Sequence, residues 1–241
     1  MNENRPDQSF RVASYNIRKC VGTDRRRDAG RVLEVVAGLG ADIVALQEAD
    51  LRFGRRRSAL PAGRIFERTG LRPVALDHSA VSLGWHGNAM LLAPGIDTDH
   101  VDAIALPGLE PRGALRIDLR RGGTRLRLVA VHLGLRRRDR LRQLAAIRNA
   151  LAALSPVPTM ILGDFNEWSA DRGLEPLTGH FAVLSPGQSW HARLPVAPLD
   201  RFALSADLEL VQAGVEEGDL ARRASDHLPV WAQVVPTQNR A

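Results

Sequence analysis

The chain has 241 residues, 44% hydrophobic and 25% charged, which suits a single layered domain with a packed core rather than a disordered polymer. No apolar run approaches the roughly 18 residues of a membrane helix, and Cys20 stands alone, which leaves no intrachain disulfide and argues against a Cys-built metal site. A formal charge of +6 favours anionic partners: nucleic acid, phosphorylated molecules or acidic lipid surfaces.

The opening "MNENRPDQSF" holds no apolar signal core, so a cytoplasmic protein is expected. "FRVASYNI" reads as a strand ending at Asn16. "RDAGRVLEVVAGLG" puts Val32, Val35, Val36 and Leu39 on one helical face and stops at Gly40. "ADIVALQEAD" is a short apolar strand ending in Gln47 and Glu48, which completes a strand–helix–strand unit. Over residues 51–85 the pattern weakens, with "RIFERTG" helical and "LRPVAL" extended. "HGNAMLLA" is a strand, and "RGALRIDLR" and "TRLRLVAVHLG" are two more, joined by the turn signal Gly122-Gly123.

"RDRLRQLAAIRNALAAL" is the clearest helix, with Leu144, Ile147, Leu151 and Leu154 on one face. "TMILGDFN" is a buried strand in which Phe165 turns back into packing while Asp164 and Asn166 face a cleft. After an irregular stretch come "LDRFALS", "ADLELVQAGV" and a terminal strand entered through Asp226 and His227. Repeats and long linkers are absent, so residues 10–236 are expected to form one domain, with a disordered tail at 1–9 and a short tail at 237–241. Strands outnumber helices but helices intervene, which points to a layered α/β domain with mixed sheets.

The strands share a design: an apolar run meeting polar residues suited to chemistry. Asn16, Glu48, His132, and Asp164 with Asn166 end four of them, and Asp226 and His227 open a fifth. Any one of these alone reads as a turn residue, a cap or a satisfied core histidine. Buried polar groups without partners are costly, so the repetition needs a reason. Three carboxylates and amide oxygens suit a hard cation, Mg²⁺ or Mn²⁺. Two histidines supply a general base and a donor to an oxyanion. With neither a Walker loop nor a G-x-S-x-G elbow in the chain, this set points to metal-assisted attack of water on a phosphorus ester.

The motifs "YNIR", "LQE", "GNAML", "VHLG", "GDFN", "LDRF" and "SDHLP" resemble those of the endonuclease/exonuclease/phosphatase superfamily, in its order and over about residues 10 to 235. "HGNAML", "VHLGL…RQL" and "GDFNEW" are most similar to small bacterial members whose substrates are generally unassigned. The resemblance implies a four-layer α/β sandwich, two packed mixed sheets flanked by helices. It also implies roles. Glu48 is the principal metal ligand, with Asn16 and Asp226 close to the ion, which would be Mg²⁺ with Mn²⁺ as a substitute. His227 is the general base or a transition-state phosphate contact, and Asp200 orients its imidazole. Asp164 and Asn166 position the water and a phosphoryl oxygen, and His132 donates to phosphate or protonates the leaving oxygen. Asn88 and Arg112 are phosphate-side contacts. Abasic-site endonucleases use an active-site tyrosine, and the only tyrosine here, Tyr15, lies inside the first strand, which argues against that activity.

Lys19 is the only lysine; arginine supplies every other basic side chain. The triplets Arg25–Arg27, Arg55–Arg57 and Arg136–Arg138 each follow a strand carrying a candidate site residue, as a basic collar would. The expected substrate is an anionic phosphodiester: nucleic acid, or alternatively a phospholipid headgroup or small phosphoester, with peripheral membrane contact open to the collar.

Overall fold

Alternation of side chains along the strands decides which residues meet between two sheets and which lie under helices. The computed structural model describes residues 8–51, 56–76, 82–169 and 172–237. Arg55, His78 and most of the two expected tails lie outside the described residues.

The strands are β1 (Phe10–Asn16), β2 (Ile43–Gln47), β3 (Arg72–Pro73), β4 (Ala89–Leu92), β5 (Asp97–Ala105) and β6 (Gly113–Arg121). They continue with β7 (Thr124–His132), β8 (Thr159–Asp164), β9 (Ala182–Leu184), β10 (Asp200–Leu204), β11 (Leu208–Val215) and β12 (Val230–Pro236). The helices are α1 (Ala29–Gly38), α2 (Ala62–Thr69), α3 (Arg137–Ala152) and α4 (Asp219–Ala224). One sheet runs β11-β12-β1-β2-β4-β3 and the other β5-β6-β7-β8-β10-β9. Both are mixed: β1 and β2 are parallel, as are β7 and β8, while their other neighbours are antiparallel.

Phe10, Val12, Ile43, Ala45 and Met90 of the first sheet pack against Ile117, Leu128, Met160, Leu162 and Phe202 of the second. The residues between them in sequence point outward. Ala13, Tyr15, Val44 and Leu46 are covered by Val32 and Val36 of α1, Ile65 of α2 and Ala221 of α4. Val129, Val131 and Ile161 are covered by Leu144 and Ile147 of α3. The result is the expected four layers, helix–sheet–sheet–helix.

Local chemistry sets the boundaries. Asp28 caps α1 by accepting the Arg31 amide at 3.0 Å, and Gly40 follows the helix at φ +54°. Gly163, at φ +144°, lies so close to β7 that a Cβ there would meet the Val131 carbonyl oxygen at 1.9 Å. That approach lets β7 and β8 end side by side.

Three elements were not expected. β5 reads "DTDHVDAIA", and its acids hid it. It is an edge strand with largely exposed side chains, and charge on an edge blocks pairing with another chain. β9 and α4 are three and six residues long, too short for periodicity to register.

Candidate active site

The alternation that builds the inter-sheet core ends in polar residues at one edge of the sandwich. Val12, Ser14 and Asn16 share a face of β1, and Leu128, Ala130 and His132 share a face of β7. Met160, Leu162 and Asp164 do so on β8, as do Leu204, Phe202 and Asp200 on β10. The register then aligns them. His132 pairs with Asp164 across the parallel β7–β8 ladder, and Asp164 pairs with Asp200 across the antiparallel β8–β10 ladder. Three strands thus present one row, His132–Asp164–Asp200, and β1 brings Asn16 over it from the opposite sheet.

Asp164 is the hub. Its Oδ2 accepts Asn16 Nδ2 at 3.0 Å and stands 3.4 Å from His132 Nε2 and 3.7 Å from His227 Nε2. Its Oδ1 accepts the Asn166 amide at 2.9 Å. Asn166, at φ +51°, donates its own Nδ2 to the Leu133 carbonyl at 2.8 Å, which ties the ends of β7 and β8 together. Phe165 is fully buried in the outer cluster beneath α3, so the Asp-Phe-Asn alternation divides core from cleft as expected.

His227 is held from behind. Its Nδ1 lies 2.8 Å from Asp200 Oδ2, which also accepts the Ser189 hydroxyl at 2.6 Å. A hydrogen on Nδ1 shared with Asp200 directs Nε2 toward Asp164. Burial pushes the His227 pKa down, but Asp200, Asp164 and Asp226 outweigh it, and the net direction is strongly up. Burial drives the Asp164 carboxyl up, with Asp200 adding to it, while His227 and the Asn166 and Asn16 hydrogen bonds pull it back. The pair is therefore an imidazolium set between two carboxylates, one of which is reluctant to ionise. Next to it, the Ser225 hydroxyl donates to the Asn16 carbonyl at 2.6 Å and fastens the entry of β12 to the end of β1.

Glu48 and Asp226 are each engaged by a cation from the turn after β1. Arg18 Nε lies 3.3 Å from Asp226 Oδ2, and Lys19 Nζ pairs with Glu48 Oε2. Arg18, Lys19 and Cys20 all have positive φ, and the Lys19 amide donates to the Glu48 carbonyl at 3.0 Å. Among the described residues no three His, Cys, Asp or Glu side chains form a ready metal cage. The donor chemistry nonetheless suits a hard cation: two partly accessible carboxylates and an amide oxygen, with Arg18 and Lys19 now supplying the positive charge beside the acids.

Beside Glu48 opens a small cleft bordered by Lys19, Asp50, Arg56, His86, Arg112 and His132. Arg56 Nε lies 2.8 Å from Asp50, and its Nη1 donates to His86 Nδ1 at 3.0 Å. A guanidinium has no acceptor, so His86 carries its hydrogen on Nε2. Burial, then Arg56, holds its pKa down. Arg112 reaches the cleft but is tied to Glu110 at 2.7 Å. Asn88 spends its Nδ2 on the Gly113 carbonyl at 2.8 Å, leaving a buried Oδ1 without a hydrogen bond among the described residues.

The structure thus brings Asn16, His132, Asp164, Asn166, Asp200 and His227 into one network and sets Glu48, Asp226 and Arg112 around it. Asn88 is directed to backbone. Sequence reasoning passed over Lys19, Asp50, Arg56 as a cleft residue, and Ser189. For Lys19 a signal existed: it is the lone lysine, three residues after Asn16. Asp50 and Ser189 carried none. The collar is also modified. Arg25–Arg27 and Arg136–Arg138 are exposed, but Arg56 turns inward.

Comparison with known proteins agrees with this architecture. The model of the Endonuclease/Exonuclease/phosphatase family matches residues 13–227. "Uncharacterized protein YbhP" of Escherichia coli (strain K12) is 29% identical over 251 residues, covering 95% of this chain and 99% of its own. An endonuclease/exonuclease/phosphatase from Beutenbergia cavernae DSM 12333 superposes with a TM-score of 0.73 at 21% identity, over 95% of this chain and 72% of that one. The Bacteroides thetaiotaomicron VPI-5482 mannosyl-6-phosphatase Bt3783 does so with a TM-score of 0.74 at 17% identity, over 94% and 99%. The chain belongs to the endonuclease/exonuclease/phosphatase family.

Proposed function

We propose that the protein is a divalent-metal-dependent phosphodiester hydrolase, using Mg²⁺ with Mn²⁺ as a substitute. The observation that carries this reading is the Asp164 carboxylate, placed within 4 Å of two histidines and bonded to Asn16 across the two sheets. Glu48 and Asp226, with the Asn16 amide, would hold the ion, Lys19 and Arg18 giving up their hold on the acids. A bound divalent ion would supply Lewis-acid stabilisation of the charge that develops on phosphorus oxygens.

The chain's own residues account for the rest. Asp164, held by Asn16 and by the Asn166 amide, orients the attacking water and draws off its proton. His227, aligned by Asp200, presents Nε2 to the phosphoryl oxygens as negative charge grows on them. His132, beside Asp164, donates to the phosphate or protonates the departing oxygen. The surrounding core excludes water, which strengthens each of these interactions.

The test is turnover of a soluble aryl phosphodiester with Mg²⁺, with Mn²⁺ and with chelator. Plasmid DNA, single-stranded DNA, RNA and phospholipid are run in parallel. Metal-restored turnover that falls by about three orders of magnitude in both Asp164→Ala and His227→Ala supports the reading. Turnover indifferent to chelator, or retained in both variants, rejects it. The mannosyl-6-phosphatase neighbour supports a second reading, action on a phosphomonoester, so an aryl monophosphate joins the same panel.

A further inference from the structure

Large apolar side chains are exposed unevenly over this molecule. Among the described residues the three most exposed are Leu194, Leu109 and Leu135, at 74, 73 and 67% of their full accessibility, followed by Trp168 at 58% and Val196 at 55%. All five sit on loops that enter or leave the catalytic ends of strands: before β6, after β7, after β8 and before β10. Isolated exposed apolar side chains are ordinary, but five on one rim are not.

Contacts show that these loops are neighbours. The Leu135 amide donates to Glu110 Oε1 at 2.8 Å, joining the loops of Leu109 and Leu135. Asn166 Nδ2 donates to the Leu133 carbonyl, and Arg140 pairs with Glu167 at 2.6 Å, joining the loop of Leu135 to that of Trp168. Trp168 meets Trp190 edge-on at 5.4 Å, and the Val196 amide donates to the Trp190 carbonyl at 2.6 Å. Arg193 Nη2 donates to the Thr23 carbonyl at 2.8 Å, bringing the exposed Arg25–Arg27 turn alongside. Exposed Arg136 and Arg138 follow Leu135 at the N-terminus of α3, where the helix dipole repels them, and neither has an ion-pair partner among the described residues. The nearby acids Asp24, Glu110 and Glu175 are already paired with arginines.

We propose that this rim docks the protein on an anionic phospholipid bilayer, apolar tips entering the interface and arginines meeting lipid phosphates. Aliphatic tips distinguish this from a nucleic-acid surface. Single strands are gripped by aromatic stacking along a basic groove, and four of the five tips are leucine or valine. Apolar insertion combined with basic charge is the chemistry of peripheral membrane binding. Resting on the hydrolase reading above, the substrate class is then a phospholipid headgroup diester. Water adds to phosphorus, one P–O bond breaks, and the alcohol leaves with the proton.

The test is flotation of the full-length protein with vesicles of phosphatidylglycerol and phosphatidylethanolamine, and with phosphatidylcholine vesicles alone. Wild type should float with the anionic vesicles only, and salt at about 0.5 M should reduce the bound fraction. Leu135→Ser/Leu194→Ser/Val196→Ser should lower anionic-vesicle binding at least tenfold while turnover of the soluble aryl diester and the melting temperature stay unchanged. Arg136→Ala/Arg138→Ala should weaken binding severalfold and flatten its salt dependence. The proposal is overturned if wild type stays in solution with anionic vesicles, if the triple variant floats like wild type, or if the protein binds a single-stranded oligonucleotide in place of vesicles. Vesicle binding by a wild type that cannot cleave the soluble diester upholds the docking surface and rejects the hydrolase.

Discussion

Replacing Asp200 with asparagine isolates the electrostatic role of one buried carboxylate. Asp200 is fully buried and lies 2.8 Å from His227 Nδ1. Asparagine keeps the shape, and its amide oxygen still accepts the Ser189 hydroxyl. What is lost is a unit charge about 4 Å from the imidazolium centre, worth roughly 4 kcal/mol at an effective dielectric of about 20. If that attraction is present in the transition state, kcat/KM falls by about a thousandfold, since each 1.4 kcal/mol is tenfold. The assay is kcat/KM for the soluble diester between about pH 5 and 9, beside a thermal melt. His227→Gln provides the floor for the histidine's contribution. A folded Asp200→Asn enzyme within fivefold of wild type across that range would show that Asp200 does not work through His227.

Three further outcomes follow from the same structure. Gly163→Ala forces a Cβ to within 1.9 Å of the Val131 carbonyl at φ +144°, so urea denaturation should show a loss of about 3 kcal/mol or more; an unchanged midpoint would contradict the close β7–β8 approach. At Asp118, burial raises the carboxyl, but the two Arg127 hydrogen bonds at 2.7 and 2.9 Å hold it below the ordinary carboxylate range. Its stabilisation is therefore present above about pH 4 and fades as pH falls through the lower folded value; Asp118→Asn should lose about 3 kcal/mol at neutral pH and less at pH near 3, read from urea melts at both. Lys19→Met removes the cation seated on Glu48, so Mg²⁺ should bind severalfold more tightly by calorimetry and raise the melting temperature more than in wild type; weaker binding would mean that Lys19 supports the ion rather than competing with it.

Much of the site was legible because its signal is local. A buried strand must alternate, so a polar residue ending an inward-facing run, as Asn16, His132 and Asp164 do, announces itself without any knowledge of the partner strand. Phe165 was legible for the same reason. β5 was not, because an edge strand that faces solvent carries the acids of a loop. Lys19 was not, because its contact with Glu48 is made by a turn of left-handed residues that no periodicity describes.

The sequence alone therefore determined the layered α/β class, the strand ends and the residue types of the cleft, since these depend on neighbours one to four positions away. Tertiary structure decided which of those residues share an atom. Asn16 and Asp164 are separated by 148 positions, and their hydrogen bond exists because two sheets pack with matched edges. The row His132–Asp164–Asp200 depends on one parallel and one antiparallel register, and a slip of a single residue would turn the side chains of a strand to its other face. Long-range register is chosen by the whole core, and only after that choice do a carboxylate and two imidazoles become one site.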